Sequence, residues 1–559
     1  MKLIPSLLLA TAMSTALPAQ PASPSVAFDT LVYTGRDAVF STPLPAGHFR
    51  NPILTGFFPD PSICRVGDDY YLVTSTFALF PGIPVFHSRD LVNWTQIGNV
   101  VHRQEQLDYK GLAATRGIFA PAITHHNGTF YLTCTMVGAG GNFLMTATNP
   151  AGPWSDPIWY DFEGIDPSLF FDDDGRAWML NNGAPEGTPL YDGHRAIWIQ
   201  EFDVATKKLI GPRTQLINGG VDITTKPVWI EGPHLYRRGE WYYLCCAEGG
   251  TSIHHSQVIY RGKSPTGPFT AWEKNPILTQ RDLDSRAPNA ITCTGHVDME
   301  IGPDGNWWAV FLACRPYGGD FWTTGRETFL LPVTWTDDGW PSILPPGERV
   351  PLTLPAPVVK TPPAAPLPGA PALSGNFTWR DDFAGKELGL EWLRLRTSAE
   401  PWWRLDGNAL HLTPRRDTLS DTGEPAFFGR RVQHATFDTT LTLTVPTASN
   451  VTAGLAAFQN EAQHLYAGVR RNGAWMSLFV ELIHQGRRTV LANEIVAAAP
   501  SIDFTLSVAE KTFAVSARPA GGAVRTLVKD RDSYPLTVQA AGGGLHFTGL
   551  MVGPHARRD

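Results

Sequence analysis

The sequence is short of charge, of long apolar runs, of helical periodicity and of paired cysteine spacings, and each shortage closes off a class of protein. Charged residues make up 17% of the chain and the formal net charge is -7, so no basic surface is on offer to nucleic acid or an anionic bilayer. No apolar stretch reaches the ~20 residues that cross a bilayer as a helix, which leaves no membrane span. The six cysteines, Cys64, Cys134, Cys245, Cys246, Cys293 and Cys314, lack the spacing of a metal site. Neighbouring Cys245 and Cys246 lie in an apparent strand and point to opposite faces, and the set reads as small buried apolar side chains. Little of the chain repeats apolar residues with a helical period. In its place come short aromatic and β-branched runs broken by Gly, Asp, Asn and Pro, the pattern of an all-β protein.

What is present begins with a leader. MKLIPSLLLATAMSTALPAQ carries Lys2, an apolar stretch from Leu3 to Met13, and the small residues Ala16 and Ala19, the layout of a secretory signal over residues 1–19. The expectation is an exported protein, periplasmic or extracellular. Further on, a polar turn followed by an aromatic strand recurs five times: DDYYLVTS from Asp68, NGTFYLTCT from Asn127, DGRAWMLNN from Asp174, RGEWYYLCC from Arg238 and DGNWWAVFL from Asp304. Repeats about 45–65 residues apart with several strands in each suit propeller blades, and five of them predict a five-bladed β-propeller over residues 45–344. From 345 to 375 the chain turns Pro- and Ala-rich (KTPPAAPLPGAPA), a composition that builds no core and reads as a semi-rigid connector. Alternating strands such as TFDTTLTLTV then resume without the repeat turn, so residues 376–559 are predicted to form a jelly-roll-like β-sandwich.

The repeat also brings chemistry into register. Asp60 stands eight residues before Asp68, Asp166 eight before Asp174, Glu231 eight before Gly239, His296 nine before Gly305 and Phe119 nine before Gly128. Nearly one phase of a propeller repeat means nearly one depth, so these side chains are expected to converge near the axis. Three of them are carboxylates. Like charges gathered in a channel raise one another's pKa and are costly unless used. Hydrolysis of a glycosidic bond needs such a set: one carboxylic acid protonates the leaving oxygen and one carboxylate activates water or attacks carbon. A third beside the acid can hold that acid's proton in place. An Asp before Pro is also a common turn residue, and it is the shared phase that separates the three from that reading.

The stretches NPILTGFFPDPSICRVGDDYYLVTSTF, GIDPSLFFDDDG, WIEGPHLYRRGEWYYLCCAEGGT, TGHVDME and TGRETFLLPV resemble, in order and spacing, the motif set of glycoside hydrolase family 43. The similar branch is that of the β-xylosidases and α-L-arabinofuranosidases with a C-terminal β-sandwich, and the likeness runs from about Asn51 through DDFAGKELGLEW and PAFFGRR in the second domain. It implies an inverting exo-glycosidase that releases xylose from xylo-oligosaccharides, with α-L-arabinofuranosidase action on arabinose-decorated polysaccharide as the alternative. It further implies Asp60 as general base, Glu231 as general acid, and Asp166 as the residue that holds up the pKa of Glu231 and orients it. Base and acid stand roughly 6.5–9.5 Å apart in inverting enzymes.

The same resemblance places His296 at a channel histidine that in some members lies against a structural Ca2+, although no cofactor is required. Arg326 matches an arginine that binds sugar hydroxyls, with a structural ion pair as its plain alternative. Phe77 and Phe119 fall at aromatic walls of the sugar pocket, Phe119 where the family more often has Trp or Tyr. Phe547 is the candidate for an aromatic that the sandwich lends to close the pocket. All three are also ordinary core residues by composition. A non-catalytic sugar-binding propeller has no need of three aligned carboxylates, and a retaining enzyme of the invertase type would carry an Asn-Asp-Pro-Asn-Gly motif that this chain lacks.

Overall fold

The structure, a computed structural model, describes residues 25–319, 321–359, 371–541 and 546–559. The leader expected over residues 1–19 and the middle of the connector, 360–370, lie outside the described residues. Five antiparallel sheets of four or five strands follow one another along the chain. Their innermost strands are Ser62–Val66, Gly117–His126, Ile165–Phe171, Glu231–Arg238 and Thr292–Ile301. Each packs against the next, and the fifth returns to the first. This is the five-bladed propeller that the repeats predict.

The recurring aromatic run is the second strand of each blade: Asp69–Val73, Thr129–Val137, Ala177–Gly183, Trp241–Glu248 and Trp307–Cys314. Those strands are covered on both faces by neighbouring blades, so TFYLTCTMV and WWAVFLAC are buried nearly end to end and show no alternation. All six cysteines are buried free thiols in blade strands. The segment ahead of blade one clasps the ring shut. Asn51 Nδ2 donates to Leu330 O at 2.8 Å, and Asn51 Oδ1 accepts the Leu330 N–H at 2.9 Å. His48–Arg50 then pairs with Thr353–Pro355 on the way out.

The second domain is a two-sheet sandwich. In one sheet Thr436–Thr444 and Ser501–Ala509 alternate strictly between buried and half-buried positions, one face to the core and one toward water. In the other sheet Val451–Asn460 is buried throughout, because its outer face packs on the propeller: Ala456 and Phe458 cluster with Phe57, Phe77 and Leu79. That sheet ends on a strand from blade one, Leu79–Phe80, paired with Leu393–Leu395. The sandwich also reaches beyond the span 376–559. Val26–Gly35, ahead of the propeller, lies between Leu410–Leu412 and Thr436–Thr444 and buries Val26, Phe28, Leu31 and Tyr33 in the sandwich core. Its apolar alternation marks it as a strand, but nothing local says which sheet it joins.

Candidate active site

A kink repeated from blade to blade shapes the site. In four blades the innermost strand slips register at an equivalent place, between Phe119 and Ala122, Ile165 and Ser168, Glu231 and His234, and Gly295 and Asp298, blade five having a further slip between Thr292 and Gly295. Ala120–Pro121, Asp166–Pro167, Gly232–Pro233 and His296–Val297 therefore bulge out of the ladder. Asp60–Pro61 takes the same position just ahead of Ser62–Val66. Backbone at the first residue is left-handed in Asp60 (φ 54°), Asp166 (φ 54°), Gly232 (φ 57°) and His296 (φ 55°). Such a φ is strained for any residue but glycine, and three non-glycine residues share it here.

Asp60, Asp166 and His296 are thus true equivalents. Glu231 and Phe119 stand one residue earlier, level with Ile165 and Gly295, so the common phase expected for all five holds for only three. Blade four has Gly232 at the equivalent position for a steric reason. A Cβ there would lie 2.9 Å from Cε1 of the His296 ring. The imidazole fills the volume of the missing side chain, and the carboxylate of that blade moves one step along the strand onto the longer Glu side chain.

Asp60, Asp166 and Glu231 keep 6%, 6% and 9% of their surface, nearly dry but still open to the channel. Asp60 is gripped on both oxygens: Arg326 Nη1 donates to Oδ1 at 2.5 Å and Ser75 Oγ donates to Oδ2 at 2.6 Å. Asp166 Oδ2 accepts the Gly232 N–H at 3.2 Å, which seats it against the peptide that follows Glu231. Its own N–H donates to Thr135 Oγ1 at 3.2 Å, and Thr135 donates to Asn142 Oδ1 at 2.6 Å. Burial, and then the Asp60 charge, pushes Asp166 up to about 7. Burial, and then the Asp166 and Asp60 charges, holds Glu231 well above the usual carboxylate range. Burial likewise pushes the His296 imidazole down to about 4 against the pull of Asp60, so it is neutral near pH 7.

A second polar layer lies two residues further along four of the inner strands, at Ser62, Ser168, His234 and Asp298. Asp298 Oδ2 accepts Ser62 Oγ at 2.7 Å and the Ile63 N–H at 2.9 Å, while Oδ1 accepts Tyr236 OH at 2.7 Å, tying blade five to blades one and four. Sequence reasoning passed over Asp298, although it stands in TGHVDME two residues after His296. It also passed over Ser75, inside TSTF, and Thr135, because both hydroxyls come from second strands or the turns after them, outside the inner-strand phase. His255 was missed as well. Its ring lies over Gly295, where a Cβ would fall 2.5 Å from Cε1, and its Nδ1 is 3.0 Å from Cys293 O. Among the described residues no three His, Cys, Asp or Glu side chains converge as metal ligands. The Asp298 oxygens are already taken up by hydrogen bonds within the protein. The residues around His296 therefore do not form the oxygen-rich shell that Ca2+ prefers.

The aromatic residues divide. Phe77 is 1% exposed, and both ring faces are covered, by Phe57 at 5.7 Å and 18° and by Phe547 at 5.7 Å and 10°. It backs the pocket wall and offers no face to a sugar, which corrects the expectation for that residue. Phe119 is half-buried and meets Phe77 and Phe547 edge-on, with centroids 5.2 and 5.4 Å apart. Phe547 is carried to the site by the sandwich. Its N–H donates to Thr115 Oγ1 at 3.1 Å, its carbonyl accepts Arg326 Nη2 at 3.5 Å, and its ring lies 5.2 Å from the guanidinium carbon. Arg326 is therefore an ion-pair partner of Asp60 and a pocket residue at once.

Two family descriptions match this chain: Glycosyl hydrolases family 43 over residues 49–341, and Beta xylosidase C-terminal Concanavalin A-like domain over residues 380–558. The chain is similar to a xylosidase/arabinosidase of Butyrivibrio fibrisolvens, 36% identical over 91% of this chain and 95% of the relative. It is also similar to a non-reducing end alpha-L-arabinofuranosidase of Bacteroides ovatus, 35% identical over 91% of each. Among solved structures it resembles a family 43 protein retrieved from capybara gut metagenome, at 36% identity and a TM-score of 0.88, with 96% of this chain and 100% of that one covered. A xylan beta-1,4-xylosidase from Bacillus halodurans C-125 superposes with a TM-score of 0.81 at 32% identity, covering 91% of this chain and 97% of that one.

Proposed function

The chain belongs to glycoside hydrolase family 43 and is a glycoside hydrolase, and on that footing we propose an exported, inverting, exo-acting β-D-xylosidase that releases xylose from xylo-oligosaccharides and accepts α-L-arabinofuranosides as a second substrate. The observation that carries the mechanism is the contrast between two carboxylates. Asp60 is ion-paired to Arg326 with Ser75 on its other oxygen, whereas Glu231 is buried beside two like charges and forms no ion pair among the described residues. Environments that differ in this way support Glu231 as the acid and Asp60 as the base.

Glu231, protonated, gives its proton to the glycosidic oxygen as the bond from that oxygen to the anomeric carbon breaks. Asp60 takes a proton from a water that attacks the same carbon from the opposite face. The products are the free alcohol of the leaving group and a sugar of inverted anomeric configuration, with Glu231 ionised and Asp60 protonated until solvent resets both. Asp166, held by the Gly232 N–H, adds its charge when ionised to the burial that keeps the proton on Glu231 until the leaving oxygen arrives. Exo action is supported by Phe547, which the sandwich brings against one side of the pocket. The printed names of the relatives, xylosidase/arabinosidase and non-reducing end alpha-L-arabinofuranosidase, support the two sugars, and the leader at residues 1–19 supports export.

The test is hydrolysis of paired aryl β-D-xyloside and aryl α-L-arabinofuranoside by the purified chain and by Glu231→Ala, with NMR of the first-formed sugar. Xyloside cleavage that yields α-xylose first, and falls by ~10²–10⁴ in the variant, is the expected result. A β-anomer formed first would sink inversion, and full activity in Glu231→Ala would remove the acid. For export, the mature N-terminus is sequenced from cell fractions, and a cytoplasmic protein that retains its leader would overturn it.

A further inference from the structure

The outer face of the sandwich sheet that meets the propeller carries a second recess, of about 180 Å³, away from the catalytic channel. His464 and Tyr466, Glu481 and Ile483, and His555 and Arg557 enter it as alternate residues of three strands, Gln463–Asn472, Trp475–His484 and Met551–Arg558. The hollow exists because Val451–Asn460, which runs between Gln463–Asn472 and Met551–Arg558, offers the small residues Thr452, Gly454 and Ala456 to this face before Phe458 bounds it beside His464. Across that row of small residues the Tyr466 and His555 rings meet edge-on at 4.9 Å.

Packing does not account for the polar groups gathered here. His464 Nδ1 lies 3.3 Å from Asn460 O and His555 Nδ1 lies 3.0 Å from Ala426 O. A carbonyl only accepts, so each ring carries its proton on Nδ1 and leaves Nε2 as a bare acceptor. Neither Nε2 has a hydrogen-bond partner among the described residues. Burial keeps both rings neutral, pushing His464 down to about 4 and His555 down to about 3. Glu481 is 5% exposed, with Arg488 Nη2 on Oε1 at 2.5 Å and Arg557 Nη1 3.7 Å from Oε2. Arg557 makes no side-chain hydrogen bond among the described residues, and its guanidinium carbon stands 5.8 Å from the Tyr466 ring centre. Bare imidazole acceptors on an aromatic floor are costly to bury unless something meets them, and Arg557, ion-paired with Glu481 and Asp559, stands beside them.

We propose that this recess is a second sugar-binding site, taking one neutral pyranose or furanose unit whose hydroxyls donate to His464 and His555 Nε2 and accept from Arg557 and Arg488. A mixed donor and acceptor lining suits a polyol. A uronate or phosphate would face Glu481 and two imidazole lone pairs at the floor, with Arg488 and Arg557 already turned to Glu481, so the bare acceptors favour a ligand that donates hydroxyls. The site stands apart from cleavage: it does not depend on which glycoside the propeller hydrolyses.

The experiment uses the full chain carrying Glu231→Gln, titrated with methyl β-D-xylopyranoside, methyl α-L-arabinofuranoside, D-glucuronate and inorganic phosphate. Calorimetry counts the sites and imidazole ¹⁵N NMR follows His464 and His555. Neutral glycosides are expected to move both Nε2 resonances, with the anions leaving them in place. Arg488→Ala, at a well-exposed side chain, should weaken that response by about tenfold, the loss of one charged hydrogen bond. Ser420→Trp on the rim should abolish it by filling the recess. In an otherwise unaltered chain both changes should leave hydrolysis of aryl xyloside as it was. Unmoved imidazole resonances with every neutral glycoside would overturn the proposal, whatever the channel binds, and so would stronger binding of glucuronate or phosphate at the recess. Should Ser420→Trp fail to fold, Arg488→Ala decides alone.

Discussion

Gly232→Ala separates the steric logic of the site from its chemistry, and the cost can be worked from the geometry. Alanine at φ +57° costs roughly 1–2 kcal/mol for the left-handed backbone alone. The new Cβ would also stand 2.9, 3.1 and 3.2 Å from Cε1, Nδ1 and Nε2 of His296. Overpacking of that kind adds about 1–3 kcal/mol in a tight interior. Gly239, in the same blade, supplies the control: φ is +61° and nothing lies within 4 Å of its would-be Cβ. Urea midpoints for Gly239→Ala should therefore report the backbone cost alone, and those for Gly232→Ala the sum. With His296→Ala in the background the overlap disappears, and the cost of Gly232→Ala should shrink to that of Gly239→Ala, a coupling of about 1–3 kcal/mol. Hydrolysis should fall in Gly232→Ala, where the imidazole is forced off its seat beside the catalytic carboxylates, and hold in Gly239→Ala. The same cost for Gly232→Ala with and without the His296 ring would refute the reasoning, because the glycine would then serve the backbone alone.

Other outcomes follow from the same geometry. Asp166→Asn removes a negative charge that holds the Glu231 proton, so the basic limb of the pH–rate profile should move down by roughly 1–2 units; an unmoved limb would take that role from Asp166. The same variant should gain stability over the unaltered chain as pH rises. Asp166 is raised to about 7 in the folded state, so its favourable contribution is full below about pH 4 and lost by about pH 7, whereas Asn does not titrate. Thermal midpoints of the two proteins should accordingly diverge between those limits and coincide below them. Arg326→Lys keeps the charge but loses the planar fork that holds Asp60 and the Phe547 carbonyl together, and kcat should fall by ~10²-fold or more; near-full activity would mean that charge alone suffices. Phe547→Ala uncovers one face of Phe77 and should lower kcat/KM, and Thr115→Val, which frees the Phe547 N–H, should do so more mildly; equal activity in both would leave the sandwich no part in the pocket.

The sequence made the inner strands legible because a propeller repeats its turns as well as its strands. That repetition located Asp60, Asp166 and His296 before any coordinates. It named Glu231 too, but not that this residue stands one step before the bulge, since a count from the next turn cannot register that blade four spends its bulge on glycine. Ser75, Thr135, Asn142 and Asp298 were not legible as parts of the site. Each acts through another residue, and hydroxyls and amides are too common in strands to stand out by type. Phe77 misled for the opposite reason. Its place in TSTF is right for a pocket wall, but the two rings that cover it, Phe57 and Phe547, come from elsewhere in the chain. Val26–Gly35 was out of reach because a strand pattern carries no address. Its partner Thr436–Thr444 lies some four hundred residues downstream, and only the folded ladder names it.

That early strand has a consequence for how the molecule comes into being. Synthesis delivers Val26–Gly35 first and the strands on its two sides, Leu410–Leu412 and Thr436–Thr444, only after every blade has been made. The segment must wait with an open edge and an apolar face while the propeller closes beside it, the kind of long-range pairing that folds slowly and invites aggregation. Dividing the protein at the Pro-rich connector would not yield two sound halves. The downstream half would lack an interior strand of one sheet and the upstream half would carry a strand with no partner. Supplied as a separate peptide, the missing strand should be taken up by the downstream half, so the boundary that matters for building the molecule runs just after Val26–Gly35.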